Sequence, residues 1–240
     1  MKTTFVISTL VICAMLAPPP SGAFEETADS IIQKSVAAHG GAKALWAIND
    51  MVVRGTIRNG GVAGSFTAYS KAPDKSRVDV DLGSVKISEG FDGRIAWQAT
   101  QNRTRQVTGT EADFVRKEAQ DGIGLLVRYK RRGIKVKLEG SATLEGKSSY
   151  VVAWDYGDGT TKKLYFDKQS FLLVGEQRYR IQAGGKKVLE WTIYSDFRQA
   201  GAVVTPYKLK VINSFGKSEM WVREVQSNTN ISPAIFQKPS

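Results

Sequence analysis

One histidine and two closely spaced aspartates are the side chains of this 240-residue chain best suited to acid–base chemistry. The chain contains a single histidine, His39, and a single cysteine, Cys13. Because Cys13 lies in an N-terminal apolar run, a Ser–His–Asp triad using His39 is the nucleophilic site left to consider. His39 stands at the end of a helical pattern, just before Gly40-Gly41, where a histidine interacts favourably with the helix dipole. We therefore expect a structural or capping role for it.

Asp79 and Asp81 are spaced as a carboxylate pair. On one face of a strand they would lie about 7 Å apart, within the range that acid and base roles require. The alternate positions are apolar, and we expect them to face the core: Val78, Val80 and Leu82. The two aspartates then fall on the solvated side of the strand, which does not favour catalysis.

Metal-binding patterns are weak. A lone imidazole without a thiolate leaves only carboxylates as further ligands, which argues against zinc. Residues 155–159 (Asp-Tyr-Gly-Asp-Gly) resemble a calcium loop, but glycines stand where oxygen ligands are needed, so we interpret them as a hairpin turn. We expect no metal, no cofactor and, for lack of a usable base or nucleophile, no enzymatic activity. An enzyme acting on polysaccharide or lipid is the third alternative.

Positive charge is concentrated in one segment. The chain has 34 Lys plus Arg against 23 Asp plus Glu, a net charge of +11. Six cations fall within ten positions: Arg128, Lys130, Arg131, Arg132, Lys135 and Lys137. Four of them, Arg128, Lys130, Arg131 and Arg132, are predicted to contact an anionic membrane or partner, and the alternative is a solvated face. Aromatic residues are not interleaved, so nucleic acid is not expected as a partner.

The N-terminus has the pattern of an export signal. Lys2 is followed by an apolar run over residues 5–16, which is shorter than the ~20 residues of a membrane span. Small residues at Ser21 and Ala23 predict cleavage before Phe24. We therefore expect a signal peptide over 1–23 and a single periplasmic domain over 24–240, secreted if the host lacks an outer membrane. Bulky Ile12 before Cys13 argues against lipidation.

Hydrophobic periodicity predicts a mainly β protein with helices. A period near 3.6 predicts a helix over 27–39, and from Met51 the period changes to two, with turn signals separating about ten to twelve antiparallel strands. Residues 110–129 interrupt them with helical spacing; Thr110 and Asp113 are predicted to form a reciprocal cap. We interpret this segment as a lid inserted between strands, with Gly122 and Gly124 as its hinge.

A curved sheet covered by helices could leave apolar side chains facing a cavity, in which an acyl chain is kept away from water. The side chains predicted to line it come from helices, insertion and strands: Trp46, Phe66, Trp97, Phe114, Leu125, Leu126, Tyr129, Trp154 and Trp191.

The order of short motifs resembles the LolA-like superfamily of outer-membrane lipoprotein-sorting proteins. The resemblance rests on Ala37-Ala38-His39-Gly40-Gly41, on Val53-Arg54-Gly55, on the stretches 69–77 and 91–97, on Tyr165-Phe166-Asp167 with Leu172-Leu173, and on the closing stretch 235–239. It implies an unclosed antiparallel β-barrel wrapped around an N-terminal helix and a mid-chain helical insertion that act as a lid over a hydrophobic cavity.

The same resemblance implies a non-catalytic periplasmic carrier that binds lipid or the acyl chains of a lipoprotein for transport between membranes. We expect this carrier to be a monomer. An envelope membrane receptor and peripheral membrane contact would fit such a role. The alternative is an envelope sensor or scaffold domain that binds a protein partner through its basic surface.

Overall fold

The computed structural model describes residues 25–122 and 124–239 of the chain. The predicted signal peptide lies outside these residues. Within them, none of the helices combines the length and the apolar character that crossing a membrane requires.

Across residues 25–122 and 124–239, thirteen antiparallel strands form one continuous sheet that does not close into a barrel, which confirms the mainly β fold class. The strands are β1 (Asp50–Asn59), β2 (Val62–Lys71), β3 (Lys75–Asp81), β4 (Lys86–Phe91), β5 (Ala96–Thr100), β6 (Arg103–Val107), β7 (Lys135–Leu144), β8 (Lys147–Asp155), β9 (Thr161–Asp167), β10 (Leu173–Ile181), β11 (Lys187–Ala200), β12 (Val203–Asn213) and β13 (Gly216–Ser227). The sequence predicted ten to twelve. The missed strand is β6, because its residues Arg-Thr-Arg-Gln-Val lack an apolar alternation.

The strand order places the helical insertion across the mouth of the sheet. The order is β6-β5-β4-β3-β2-β1-β13-β12-β11-β10-β9-β8-β7, so β6 and β7 are the two edges. The chain between these two strands must therefore pass from one edge of the curved sheet to the other. This connection contains two of the helices, and it lies over the concave face because the sheet is open there.

In the described part of the chain, four α-helices accompany the sheet: α1 (Ala28–Ala38), α2 (Ala42–Trp46), α3 (Gly109–Asp121) and α4 (Leu125–Arg128). We call α3, α4 and the residues joining them the insertion. Helix α1 begins at a capping box, in which the Thr27 hydroxyl accepts from the Ser30 backbone N–H, and it ends at His39. The predicted Thr110–Asp113 cap is wrong: Thr108 is the N-cap of α3 and makes no side-chain cap bond, and Asp113 instead accepts from Arg116 at 2.8 Å.

Alternation along the strands divides the sheet into an inner and an outer face. The outer face of β1 to β5 is covered by residues that follow β13. Phe236 is completely buried there against Val52, and its carbonyl oxygen accepts from Nε1 of Trp97 at 2.8 Å. The carbonyl oxygen of Ile235 likewise accepts from Arg77 at 2.9 Å. The C-terminal segment therefore packs on the outer face of these strands, whereas the helices pack on the inner face.

On the inner face, the helices cover the two flanks of the sheet. Helices α1 and α4 pack on β8 and β9, where Trp154 and Phe166 are completely buried. Helix α3 packs on β4 to β6 through Phe114 and Val115. The expectation that Val78 belongs to the core is wrong, because its side chain is 38% exposed on β3.

Candidate functional site

A cavity of about 460 Å³ lies between the helices and the inner face of the sheet. Its size falls in the range of small-molecule pockets. Leu125 and Leu126 of α4 and Leu45 of α2 face the sheet across it. Further apolar lining comes from Ile48, Met51, Leu173, Val203, Leu209 and Val211. The walls of the cavity are therefore largely aliphatic.

Of the nine side chains predicted to line a cavity, Leu125 and Leu126 lie in its wall. Phe66 is buried on the inner face in a cluster that includes the cavity residue Leu209. Phe114 belongs to α3 and packs on β4 to β6, whereas Tyr129 and Trp154 pack together under α1 with ring centroids 5.2 Å apart.

Trp97 and Trp191 lie on the outer face of the sheet, which corrects their predicted place in the cavity. Trp191 directly precedes Thr192, whose side chain lines the cavity, and successive residues of a strand point to opposite faces. Its ring packs on Tyr165, 5.2 Å away between centroids. Trp97 is buried instead by the C-terminal segment. Both residues stabilise the sheet from outside.

Apolar surface continues from the cavity along the inner face. Leu209 belongs to a cluster with Phe66 and Val80. Ile87 pairs with Val80 across β3 and β4 and is 42% exposed. Because paired residues share a face, this exposed side chain and that of Val78 extend the cavity wall toward the open side of the sheet. Exposed apolar surface of this kind marks a binding groove when it adjoins a cavity.

Buried charges form the polar side of the cavity. Lys162 on β9 donates to Asp121, the last residue of α3, with 2.7 Å between Nζ and Oδ2. The two side chains are only 4% and 8% exposed. Tyr156 and Arg132 also donate to this carboxylate. Asp121 therefore accepts from three donors, and the bond from Lys162 ties the end of α3 to the sheet.

Arg178 on β10 is the centre of the second half of this charge cluster. Its guanidinium contacts Glu118 of α3, lies 2.8 Å from Glu176 and lies 3.1 Å from Glu190. Glu176 also lies 3.5 Å from Lys162, which joins the two halves. The cluster so formed by Glu118, Asp121, Lys162, Glu176 and Arg178 is referred to below as the ionic cluster.

The ionic cluster shifts the pKa values of its members. Burial opposes the charge on Asp121 and Glu176, but the neighbouring cations prevail and lower the pKa of both carboxyls. Burial raises the pKa of Glu118, assisted by the negative charges of Glu176 and Asp121. The surrounding carboxylates raise the pKa of Lys162 and Arg178 against the effect of burial. Glu118 is thus the member that takes up a proton most readily.

His39 joins α1 to the sheet. Its Nε2 accepts from the backbone N–H of Leu173 at 3.2 Å, and its Nδ1 donates to the carbonyl oxygen of Val204 at 2.7 Å. Burial lowers the pKa of the imidazole, although the bond to Val204 opposes this shift. Gly40 follows at φ +108°, and a Cβ there would lie 2.3 Å from the carbonyl oxygen of Ala202. The neutral ring is fully hydrogen-bonded, as a structural histidine requires.

The predicted basic surface divides into paired and unpaired cations. Lys130 lies 2.9 Å from Asp29, and Arg132 pairs with Asp121. Arg128 and Arg131 lie over the ring of Trp46, with 5.0 and 4.6 Å from guanidinium carbon to ring centroid. Trp46, another predicted cavity residue, lines a second pocket together with Arg128, Arg131 and Arg132.

The ionic cluster was not predicted from the sequence. Lys162 and Lys163 are adjacent residues of one type, and only the alternation along β9 places the first inside and the second outside. The available signal was a charged residue in register with apolar ones, since Lys162, Leu164 and Phe166 share a face. In the part of the chain that the structure describes, no group of His, Cys, Asp or Glu is arranged to hold a metal ion.

Known structures of similar shape identify the fold. No family model and no curated protein matches the sequence. A LolA superfamily protein from Nitrosomonas europaea matches with a TM-score of 0.59 at 14% identity, over 89% of this chain and 98% of that chain. A DUF1329 family protein from Desulfovibrio piger matches with a TM-score of 0.57 at 14% identity, over 88% and 97% of the two chains.

A third match is a domain described as an outer membrane lipoprotein-sorting protein, from Vibrio parahaemolyticus, with a TM-score of 0.52 at 11% identity over 87% of this chain and 95% of that chain. These likenesses cover nearly the full length of both partners in each pair. The open thirteen-stranded sheet, with helices crossing its concave face, is therefore a LolA-like fold.

Proposed function

We propose that this protein is a periplasmic, non-catalytic carrier that binds lipid, or the acyl chains of a lipoprotein, for transport between membranes. The observation that supports this most is the aliphatic cavity beneath the insertion, which continues along the inner face to the exposed Val78 and Ile87. Such a cavity and groove would keep an acyl chain out of water. Leu125, Leu126 and Phe66 are the predicted lipid contacts that we retain.

Binding and release would follow from differential affinity. Each buried CH₂ contributes about 0.8 kcal/mol, so a bound chain is held firmly until the cavity narrows or an acceptor competes for the cargo. The insertion is suited to gate this exchange, because it crosses the open side of the sheet and α4 forms one wall of the cavity. The predicted signal peptide and the likeness of the fold to a lipoprotein-sorting domain support a periplasmic site of action.

Lipid extraction tests the proposal directly. The chain from Phe24 to Ser240 would be purified from the compartment to which it is exported, examined by native mass spectrometry, and extracted with organic solvent. We expect a stoichiometric acylated ligand. A protein that is empty and also fails to bind a fluorescent fatty-acid probe would contradict the carrier function, and the sensor or scaffold alternative would replace it.

A pair of variants on β12 locates the ligand. Leu209 faces the cavity, whereas Ile212 lies on the outer face of the same strand. Leu209→Trp should narrow the cavity and weaken probe binding at least ten-fold. Ile212→Trp adds a similar volume outside and should leave binding unchanged. Equal effects of the two substitutions would show that the acyl chain binds elsewhere.

A further inference from the structure

Two short helices separate the cavity from a second, wider pocket. On α2, Leu45 lines the cavity and the adjacent Trp46 lines the second pocket. On α4, Leu125 lines the cavity and Arg128 lines the second pocket. The second pocket measures about 800 Å³ and is open to solvent. The aliphatic and the basic compartment are therefore back to back across the same two helices.

Two arginines in the second pocket share one aromatic ring. The guanidinium carbons of Arg128 and Arg131 lie 5.0 and 4.6 Å from the centre of the Trp46 ring, within the range of a cation–π contact. The contact places both guanidinium groups over the indole ring. Burial lowers the pKa of Arg128, and the nearby positive charge of Arg131 lowers it further. This arrangement is electrostatically unfavourable unless an anion is added.

The other cations of the pocket are already neutralised. Arg132 is paired with Asp121, as described above. Lys117 lies 2.5 Å from Asp158, and it lowers the pKa of that carboxyl to about 2. Arg116 lies 2.8 Å from Asp113.

Arg128 and Arg131, by contrast, have no carboxylate within 4 Å among residues 25–122 and 124–239. The remaining acid of the pocket, Asp74, does not pair with either. Nε of Arg128 is buried and has no hydrogen-bond partner in the same part of the chain. A buried donor of this kind is costly to leave unpaired.

We propose that Arg128 and Arg131, which both lie over Trp46, bind the phosphate of an acylated amphiphile, the kind of cargo proposed for the neighbouring cavity. The inference rests on the proposed carrier function and names its cargo class. A phosphate monoester carries a charge of about −1.5 to −2 at pH 7, which balances two guanidinium groups. Its oxygens match the terminal N–H groups of a guanidinium fork. The phosphate would also relieve the repulsion between the two arginines.

A matched pair of ligands tests the proposal. Oleoyl lysophosphatidic acid and monooleoylglycerol share the acyl chain and the glycerol, and differ by the phosphate. Calorimetry at 0.15 M salt should show that the wild-type protein binds the phosphate-bearing ligand about ten-fold more tightly, as expected for a charge-assisted contact of about 1.4 kcal/mol. Equal affinities would overturn the proposal and leave the carrier function standing. Failure of both ligands to bind would overturn the two together.

Two double variants distinguish phosphate binding in the second pocket from attraction by the overall positive charge of the protein. Arg128→Gln with Arg131→Gln should reduce the ten-fold preference to about one and leave monooleoylglycerol binding unchanged. Lys135→Gln with Lys137→Gln removes the same charge from exposed positions on β7, and should preserve the preference. An equal loss in both double variants would assign the preference to the surface field and contradict the proposal.

Two further measurements complete the test. If the glutamine variant does not fold, Arg128→Lys with Arg131→Lys keeps the charge but removes the planar fork, and should still lower the preference several-fold; an unchanged preference would contradict the proposal. Inorganic phosphate at about 10 mM should weaken lysophosphatidic acid binding to the wild type only. Phosphate that binds at micromolar concentration, without any preference between the two oleoyl ligands, would assign the pocket to free phosphate instead.

Discussion

Lys162 and Asp121 form a 2.7 Å ion pair that joins the inner face of the sheet to the end of α3. The pair lies beside the cavity, and Asp121 directly precedes Gly122, the first of the two predicted hinge glycines. Any movement of the insertion away from the sheet must stretch or break this contact. The ion pair is therefore placed to set how easily the cavity opens.

Lys162→Met should be strongly destabilising. It leaves Asp121 and Glu176 buried without their shared cation, and losing one partner of a buried pair costs about 3–5 kcal/mol in the free energy of unfolding. Chemical denaturation measures this. Lys163, the next residue, pairs with Glu139 on the outer face at 2.8 Å with both side chains partly exposed, so Lys163→Met should cost less than about 1 kcal/mol. Similar losses in the two variants would disprove the burial argument.

Glu118→Gln should be tolerated, and its effect should depend on pH. The pKa of Glu118 is raised in the folded protein, so between its unfolded value near 4.5 and the folded value the native state binds the extra proton and wild-type stability falls as pH rises. The glutamine variant lacks this loss. Its stability relative to wild type should therefore increase from pH 4.5 upward and become constant above the folded pKa.

Glu176→Gln provides the contrast for that experiment. The pKa of Glu176 is lowered, so its charge stabilises the fold above its unfolded pKa, and this contribution disappears as pH falls through the folded value. The variant should be less stable than wild type at pH 7, with a difference that shrinks on acidification. Denaturation series over pH 3 to 8 check both variants, and parallel curves would refute the opposite pKa shifts.

Acidification should also weaken the attachment of α1 through His39. The folded pKa of His39 lies below its ordinary value of 6.5, so the unfolded chain binds the proton first and stability is lost as pH falls below 6.5. Since the chain has one histidine, its proton NMR signal reports this titration without overlap. His39→Ala should cost about 2–3 kcal/mol because Leu173 N–H and Val204 C=O lose their partner. A midpoint at or above 6.5 would contradict this account.

Gly124→Ala should affect the insertion more than Gly122→Ala. Gly124 has φ +72°, where alanine costs about 1–2 kcal/mol, and its Cβ would lie 3.4 Å from Nε of Arg128. Gly122 has a negative φ, and the nearest atom to an added Cβ is 3.3 Å away. Exchange of a bound fluorescent acyl probe between protein and vesicles measures the outcome. Altered exchange in the first variant, with near-wild-type exchange in the second, would assign the hinge to Gly124.

Trp97→Phe should lower stability without changing acyl affinity. The substitution removes the indole N–H that donates to the Phe236 carbonyl oxygen in a buried position, which costs about 1–3 kcal/mol. Trp97 lies on the outer face, so the cavity is unaffected. Denaturation and probe titration of the same sample give both quantities. Weakened probe binding by the fully folded variant would restore Trp97 to the lipid site.

The sequence by itself determined most of the local structure. Alternation along the strands, the Asn-Gly and Asp-Gly turns, and the capping of α1 depend on neighbouring residues, so the mainly β class and the position of the helical insertion could be predicted. The resemblance in motif order carried the prediction to the LolA-like fold, which the solved structures confirm. The local pattern did not predict β6, because its mostly polar residues show no alternation of apolar and polar side chains.

Tertiary structure decided which face each side chain occupies and what it meets there. Trp97 and Trp191 are large apolar residues of the kind found in protein cores, but they pack on the outer face of the sheet and not in the cavity. Lys162 shares a face with Leu164 and Phe166, but the local sequence does not identify the partners of Lys162 or Arg178. Both are buried because the strand register and the crossing of α3 place Asp121 and Glu118 above them. A charged side chain is tolerated in the interior when it is paired with an opposite charge. Here the partners are distant in sequence, so only the folded chain brings them together.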